Sequence, residues 1–399
     1  MTAHLISVLG KPRKLDSGDR SYQTATYRFP DGTTHTSTSF GLALGRWFVE
    51  AKRQRLDRVL WLGTSQSEWG SLLQTVLGDG VAEEELYFEL YDAQETTQAK
   101  ADQVAEILSR ATGQTHTCRI IPSCKDLAEQ QVFVETLTGE LQPKDQVLLD
   151  LTHGLRNQSL MLAQSALMLE CAYDVRIEGL YYGGLEIPRE PGEPAPAVDL
   201  TGLLEQARLA QALHAFQQSG DVRMLLPHLR EGGFRRQIEN LGHAVAIHNY
   251  SEARNLATSA LAALPGAGTG VMEPVIRRTL EAFKARSLAE SQYQQAEAWL
   301  DRKDYLRATL QLFEGAITRV CQRKGWDITD PVERIKQAGQ SLRSLHDDDW
   351  KALEFLRNQM AHGLASDWHG LMRTAKNPIE LEKLLRRLLT TIPALADRA

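Results

Sequence analysis

The sequence predicts an α/β domain followed by an all-helical one. In the first half, short apolar runs alternate with helical stretches, as in a largely parallel, doubly wound sheet. A proline-rich divider, "EIPREPGEPAPAV" at 186–198, is extended and cannot be helical. From Thr201 to Ala399 nearly everything has helical periodicity, with breaks at 219–221, 231–233, 264–270 and 324–331.

Six runs read as strands: 4–9, 58–63, 85–91 ("ELYFELY"), 116–121, 146–151 and 176–183. Helices are expected in the stretches "ALGRWFVEAKRQ", "QAKADQVAEILSRA", "CKDLAEQQVFVETL" and "LRNQSLMLAQSALMLECA". The β-rich stretch 22–40, with Pro30-Asp31-Gly32 at its centre, reads as an inserted hairpin. These features set domains at 1–199 and 200–399.

With 399 residues the chain exceeds the usual reach of one core. Its 42% hydrophobic and 24% charged residues are ordinary for a water-soluble globular protein. No run approaches 18 apolar residues, so a membrane partner is not expected, and "MTAHLISVLGKPRK" suits a strand better than a signal peptide. Cys118, Cys124, Cys171 and Cys321 form no CxxC pair, which leaves no disulfide framework or zinc site and points to a reduced cytoplasm. A net charge of -6 argues against coating long duplexes and leaves room for nucleic acid bound locally in a cleft.

In an open parallel sheet, ligands bind outside the carboxyl ends of the strands. Two of those ends stand out. "LWLGTSQSEWG" offers Gly63, Thr64, Ser65 and Ser67, small and hydroxylated; "LLDLTHGLRNQ" offers Thr152, His153 and Gly154, then opens a helix. A helix start favours an anion such as phosphate, and Arg156 and Asn157 could add charge and hydrogen bonds. Ordinary capping turns would use the same residue types. No GxGxxG or Walker A pattern is present, so a usual dinucleotide or NTP cofactor is not expected.

Near the C-terminus, "HDDDWKALEFLRNQMAHG" reads as one helix, with aspartates at its start and Gly363 as C-cap. Trp350, Leu353, Leu356 and Met360 form one stripe, and Arg357 falls inside it. A guanidinium keeps its charge, so there it needs an anion, a carboxylate or an interface. Asn358 and His362, four apart, share the neighbouring face. An interfacial ion pair with a helix-capping histidine would explain the same residues. Arg236 and His243 repeat the Arg-then-His theme more loosely and read as chance. No HExxH or metal-spaced acidic cluster exists, so no metal is expected; "HDDDW" reads as a helix start.

As a set, "WLGTSQSEW", "LLDLTHGLRNQ" and "GLYYGG" leading into "AVDLTGLLEQARLAQALHAF" resemble a CARF domain, and "RNQMAHG" resembles a HEPN ribonuclease signature. The layout is similar to the CRISPR-associated CARF–HEPN proteins of type III systems. That resemblance implies a Rossmann-like CARF domain, into which the 22–40 hairpin is inserted, then a helical domain whose HEPN core lies at about 290–399. It further implies a homodimer or higher oligomer that senses a cyclic oligoadenylate through Gly63 to Ser67 and Thr152 to Asn157. A two-fold pocket matches an even ring, and cyclic tetra-adenylate is expected ahead of cyclic hexa-adenylate. The implied output is metal-independent cutting of single-stranded RNA in antiviral defence, by 2′-OH attack. Arg357 would stabilise charge, His362 handle protons and Asn358 support them. The competing expectation is a non-catalytic sensor acting through a helical partner surface. A third is slow cleavage of the ring itself, for which Thr64, Ser65 and Arg156 are chemically suited.

Overall fold

The computed structural model describes residues 2–10, 24–83, 85–362 and 371–399. The chain divides into two compact units, Met1–Arg208 and Leu209–Ala399. The division falls inside one helix.

Eight strands build the sheet of the first unit: β1 (Ala3–Leu9), β2 (Ala25–Arg28), β3 (Thr34–Ser37), β4 (Arg58–Gly63), β5 (Thr115–Ile120), β6 (Gln146–Asp150), β7 (Arg176–Gly183) and β8 (Ala195–Asp199). Its helices are α1 (Phe40–Glu50), α2 (Trp69–Leu77), α3 (Glu85–Asp92), α4 (Gln98–Thr112), α5 (Leu127–Gly139) and α6 (Arg156–Tyr173); α7 (Gly202–Ser219) carries the division. The strand order is β3-β2-β8-β7-β6-β1-β4-β5. The five strands from β7 to β5 run parallel, and β8 returns antiparallel to β7. The hairpin of β2 and β3 joins the sheet through parallel pairing of β2 with β8. It extends the sheet and is not a separate appendage; Tyr22 and Gln23 of the expected hairpin lie outside the described residues.

Strand pleating explains the two cores. Leu5 and Leu9 of β1, Val59 and Trp61 of β4 and Leu148 of β6 face the side packed by α1, α2 and α4. Ile6, Val8, Leu60, Leu62, Val147 and Leu149 face α5 and α6. Every one of these residues is buried, because both faces of a parallel sheet are covered.

One expectation needs correction, and one strand was not foreseen. Residues 85–91 are helical, as α3, and contribute no strand. Leu86 and Leu90, four apart, are buried, whereas Phe88, which strand alternation would bury with them, is 53% exposed. The proline stretch hides β8, which no apolar run announces. Pro196 is tolerated there because its carbonyl still accepts from Gly184 N at 2.9 Å.

At the outer edge of β5 the side chain of Gln98 imitates a neighbouring strand. Its amide nitrogen donates to Cys118 O at 2.8 Å and its oxygen accepts from Ile120 N at 2.9 Å. Ser109 Oγ accepts from His116 N at 2.9 Å. Helix α4 thereby occupies the ladder groups of that edge.

The second unit contains α8 (Gly233–Ala246), α9 (Tyr250–Ala263), α10 (Glu273–Glu281), α11 (Leu288–Asp301), α12 (Tyr305–Lys324), α13 (Gly339–Ser344), α14 (Asp348–His362), α15 (Leu371–Lys376) and α16 (Pro378–Ala396). It has two cores. One gathers Ile238, Leu241, Ala257, Ile276 and Leu280 from α8, α9 and α10. The other joins Trp299, Leu312, Trp350, Leu353, Leu388 and Ile392 from α11, α12, α14 and α16. Among the described residues, no helix is long and apolar enough to cross a membrane.

Candidate functional site

The strand order reverses direction between β1 and β6, so loops on either side diverge there and leave a crevice at the carboxyl ends. A cleft of about 660 Å³ opens at that end. Gly10 follows β1, Thr64 to Ser67 follow β4, Pro122, Ser123 and Lys125 follow β5, and Leu155 and Gln158 start α6. Glu95 also lines it. Ser123, Lys125 and Glu95 were not singled out from the sequence, and Gln66 was included only within the loop Gly63 to Ser67. "IIPSCK" follows a strand just as the other two loops do, and that position was the signal available.

The residues expected to bind ligand divide into two groups. Several hold the cleft together. Ser67 Oγ donates to Leu9 O at 2.7 Å and accepts from Thr64 N at 2.9 Å. Thr152 Oγ1 accepts from Gly183 N at 2.8 Å. Asn157 donates to the carbonyls of Ser123 and Cys124 at 2.7 and 3.1 Å. Gly63 is where a side chain would collide with the Trp69 ring, at 2.6 Å. Gly154, at φ +89°, would drive a Cβ to 2.3 Å from Val8 Cγ1. The others face outward: Thr64 and Ser65 are half-buried on the cleft wall, and Arg156 is exposed with no carboxylate partner among the described residues. Leu155 precedes α6 and has no side-chain acceptor to cap it, so the first-turn N–H groups suit an anion.

Thr152, His153, Gly154, Arg156 and Asn157 do not line the cleft itself. Below them, Asp150 is fully buried, accepting from Ser7 Oγ at 2.6 Å and from Thr152 N at 2.8 Å. Burial pushes the His153 imidazole below its ordinary value, and the Asp150 carboxylate opposes that shift. Lys125 is held by Glu129 at 2.7 Å. Glu129 lies at about 2, lowered by Lys125 first and by Ser123 next.

The second candidate centre is on α14. Asp347 caps its start, accepting from Asp349 N at 2.9 Å and Trp350 N at 3.3 Å. Asp349 pairs with Arg387 at 2.8 Å. These acids therefore serve the helix start, as their sequence position suggests. Trp350, Leu353 and Leu356 are buried, and Trp350 stacks on Phe313 of α12 with ring centres 5.0 Å apart. Arg357 is half-buried, with its guanidinium 5.3 Å from the Phe313 ring centre and Nη1 donating to Asn358 Oδ1 at 2.9 Å. Its Nε is buried without a hydrogen-bond partner, and no carboxylate pairs with Arg357 among the described residues. Thr309 Oγ1 donates to Met360 Sδ at 3.6 Å. Asn358 and His362 are exposed.

No hydrogen bond joins Arg357 to His362. Five residues at about 100° each separate them by about 140° around the helix, while Asn358 and His362 stay within about 40°. Gly363, expected as the C-cap, lies outside the described residues.

No protein-family model matches the chain. It is similar to a curated protein, CRISPR-associated protein MJ1674 of Methanocaldococcus jannaschii, at 22% identity over 400 residues. That alignment takes in 90% of this chain and 62% of the relative, so the chain spans less than two thirds of the relative's length. Enterococcus italicus Csm6, solved bound to cyclic hexa-2′-fluoro-hexa-dAMP, overlays 98% of this chain and 94% of its own at 12% identity. The TM-score of 0.34 is too low for that overlay to carry an argument. Taken together, the sequence comparison and the loop and helix motifs make the chain similar to a CRISPR-associated protein.

Proposed function

We propose that the chain is a type III CRISPR effector in which a cyclic oligoadenylate switches on metal-independent cutting of single-stranded RNA. Residues 1–199 act as the CARF sensor and 200–399 as the helical domain, with the HEPN core at about 290–399. The ring is a tetra-adenylate in preference to a hexa-adenylate, held by Thr64, Ser65, His153, Arg156 and the first turn of α6. Gly63, Ser67, Thr152, Gly154 and Asn157 shape that site from beneath.

One observation carries the nuclease reading: Arg357 is half-buried with a hydrogen bond to Asn358 and no carboxylate partner among the described residues. A permanently charged fork in that state suits phosphate oxygens. Because Arg357 and His362 diverge around one helix, the composite centre requires two copies, paired so that Arg357 of one and His362 of the other reach one phosphodiester. The RNA 2′-oxygen then forms a bond to phosphorus as the P–O5′ bond breaks. The 2′ proton is removed, the 5′ oxygen gains one, and the products carry a 2′,3′-cyclic phosphate and a 5′-OH. Arg357 stabilises the charge on the phosphoryl oxygens, Asn358 orients, and His362 moves the proton.

The alternative, a sensor without catalysis, is favoured by the way Arg357 turns onto Phe313 and away from His362. Labelled single-stranded RNA, incubated with protein, chelator and rings of four or six adenylates, separates the two. Ring-dependent cutting that vanishes in His362→Ala, with ring binding intact, supports the nuclease. RNA left whole with either ring refutes it. Trace labelled ring recovered intact after hours with excess protein rules out self-limiting ring cleavage through Thr64, Ser65 and Arg156.

A further inference from the structure

The helical unit contains a second cavity, of about 210 Å³, walled by residues 220–223, by α8, α10 and α11, and by Arg302 and Arg307 beyond α11. Two of its guanidinium groups lack a carboxylate partner among the described residues. Arg302 is half-buried and spends Nε and Nη1 on the carbonyls of Gln217 and Ala298, at 3.2 and 3.0 Å. Arg278 is exposed at the rim. The one acid on the wall, Asp221, is already engaged by Arg223 at 2.6 Å.

A third feature points to more than an anion. Gln295 lines the cavity at 7% exposure, and no described residue hydrogen-bonds its amide. A molecule entering the cavity can supply hydrogen bonds to this amide in place of water. Gln295 and Trp299, four apart, share one face of α11, and Arg302, the residue that ends the helix, continues it about 10 Å from Gln295 along the axis. Arg302 lies against the Trp299 ring, 5.4 Å from its centre, and burial pushes its guanidinium below its ordinary value. Asp301 partly opposes that shift, arginine keeps its charge regardless, and the guanidinium suits an anionic ligand.

We propose that this cavity binds a nucleoside monophosphate, with phosphate on Arg302 and Arg278 and the base edge on the Gln295 amide. The guanidinium fork matches phosphate oxygens, and a primary amide offers the adjacent donor and acceptor that an adenine edge accepts. Apolar Leu241 and Phe283 complete the wall for a heteroaromatic ring. At about 210 Å³ the cavity has no room for an oligonucleotide. This site is independent of the sensing cleft and of α14.

The test is calorimetric titration of the full chain with AMP, adenosine and inorganic phosphate, each separately. AMP is expected to bind once per chain more tightly than either fragment. Arg278→Gln, an exposed change, and Gln295→Leu should each weaken AMP by about 10- to 100-fold, with melting temperatures recorded to confirm folding. AMP that fails to bind overturns the proposal. So does AMP that binds both variants as tightly as the parent, since it then sits elsewhere. Phosphate binding as tightly as AMP removes the base from recognition and overturns it equally.

Discussion

Lowering the pH should loosen the α/β unit through His116. This residue is 6% exposed, and both ring nitrogens are engaged: Nδ1 accepts from Trp61 Nε1 at 3.0 Å, and Nε2 meets Thr112 Oγ1 at 3.0 Å. A second proton would go on Nδ1 and face the indole N–H, donor against donor. Burial lowers the imidazole from 6.5 to about 4. The unfolded chain therefore binds more protons between those values, so the contribution is complete above 6.5 and is lost as pH falls through that window. At pH 5 the loss is about 2 kcal/mol, and it approaches about 3 kcal/mol below pH 4. His116→Gln retains an acceptor for Trp61 and removes the titration. Calorimetric melts of both proteins at pH 7.5 and pH 5 provide the comparison. Acid should lower the melting temperature of this unit in the parent by about 4–8 °C more than in the variant. Equal acid-induced drops would refute the reasoning, because other groups would then carry the pH response.

Gly154→Ala should destabilise the same unit by about 2–5 kcal/mol, from left-handed backbone cost plus overpacking against Val8. Gly139→Ala, with nothing within 4 Å of the added carbon, is the control and should be close to neutral in the same thermal melt. Arg357→Lys keeps the charge but loses the planar fork over Phe313 and its hydrogen bond to Asn358. It should leave the melting temperature within a few degrees and cut ring-activated RNA cleavage at least tenfold. Unchanged cleavage would remove Arg357 from the proposed mechanism.

How much of this was legible follows from where each partner lies along the chain. The parallel strands announce themselves because burial on both faces makes them continuous apolar runs, as in "VLWL" and "VLLDL". "ELYFELY" misleads because its alternating aromatics fit a strand, and only tertiary contact shows which of them is covered. β8 was invisible because its pairing, not its apolar content, makes it a strand. His4 carries no local mark, yet it bonds Asp145 at 3.0 Å, a residue that parallel pairing of β1 with β6 brings alongside. The two loops were readable from strand ends and small residues. The internal roles of Ser67, Thr152 and Asn157 were not, since their partners are carbonyls and amides that any sequence supplies. In α14 the displaced arginine was visible from periodicity alone, whereas Phe313, 44 positions earlier, was not.

The finished borders of the sheet limit how copies of this molecule can meet. On one flank the Gln98 amide and Ser109 hydroxyl already take the hydrogen-bonding places that an incoming strand would use. On the other, β3 is four residues long and half hydroxyl-bearing threonine, a poor template for annealing. Continuous β-addition between molecules is thereby disfavoured at both ends, and self-association is left to helical faces and loop ends, the parts that carry the residues proposed for sensing and cutting.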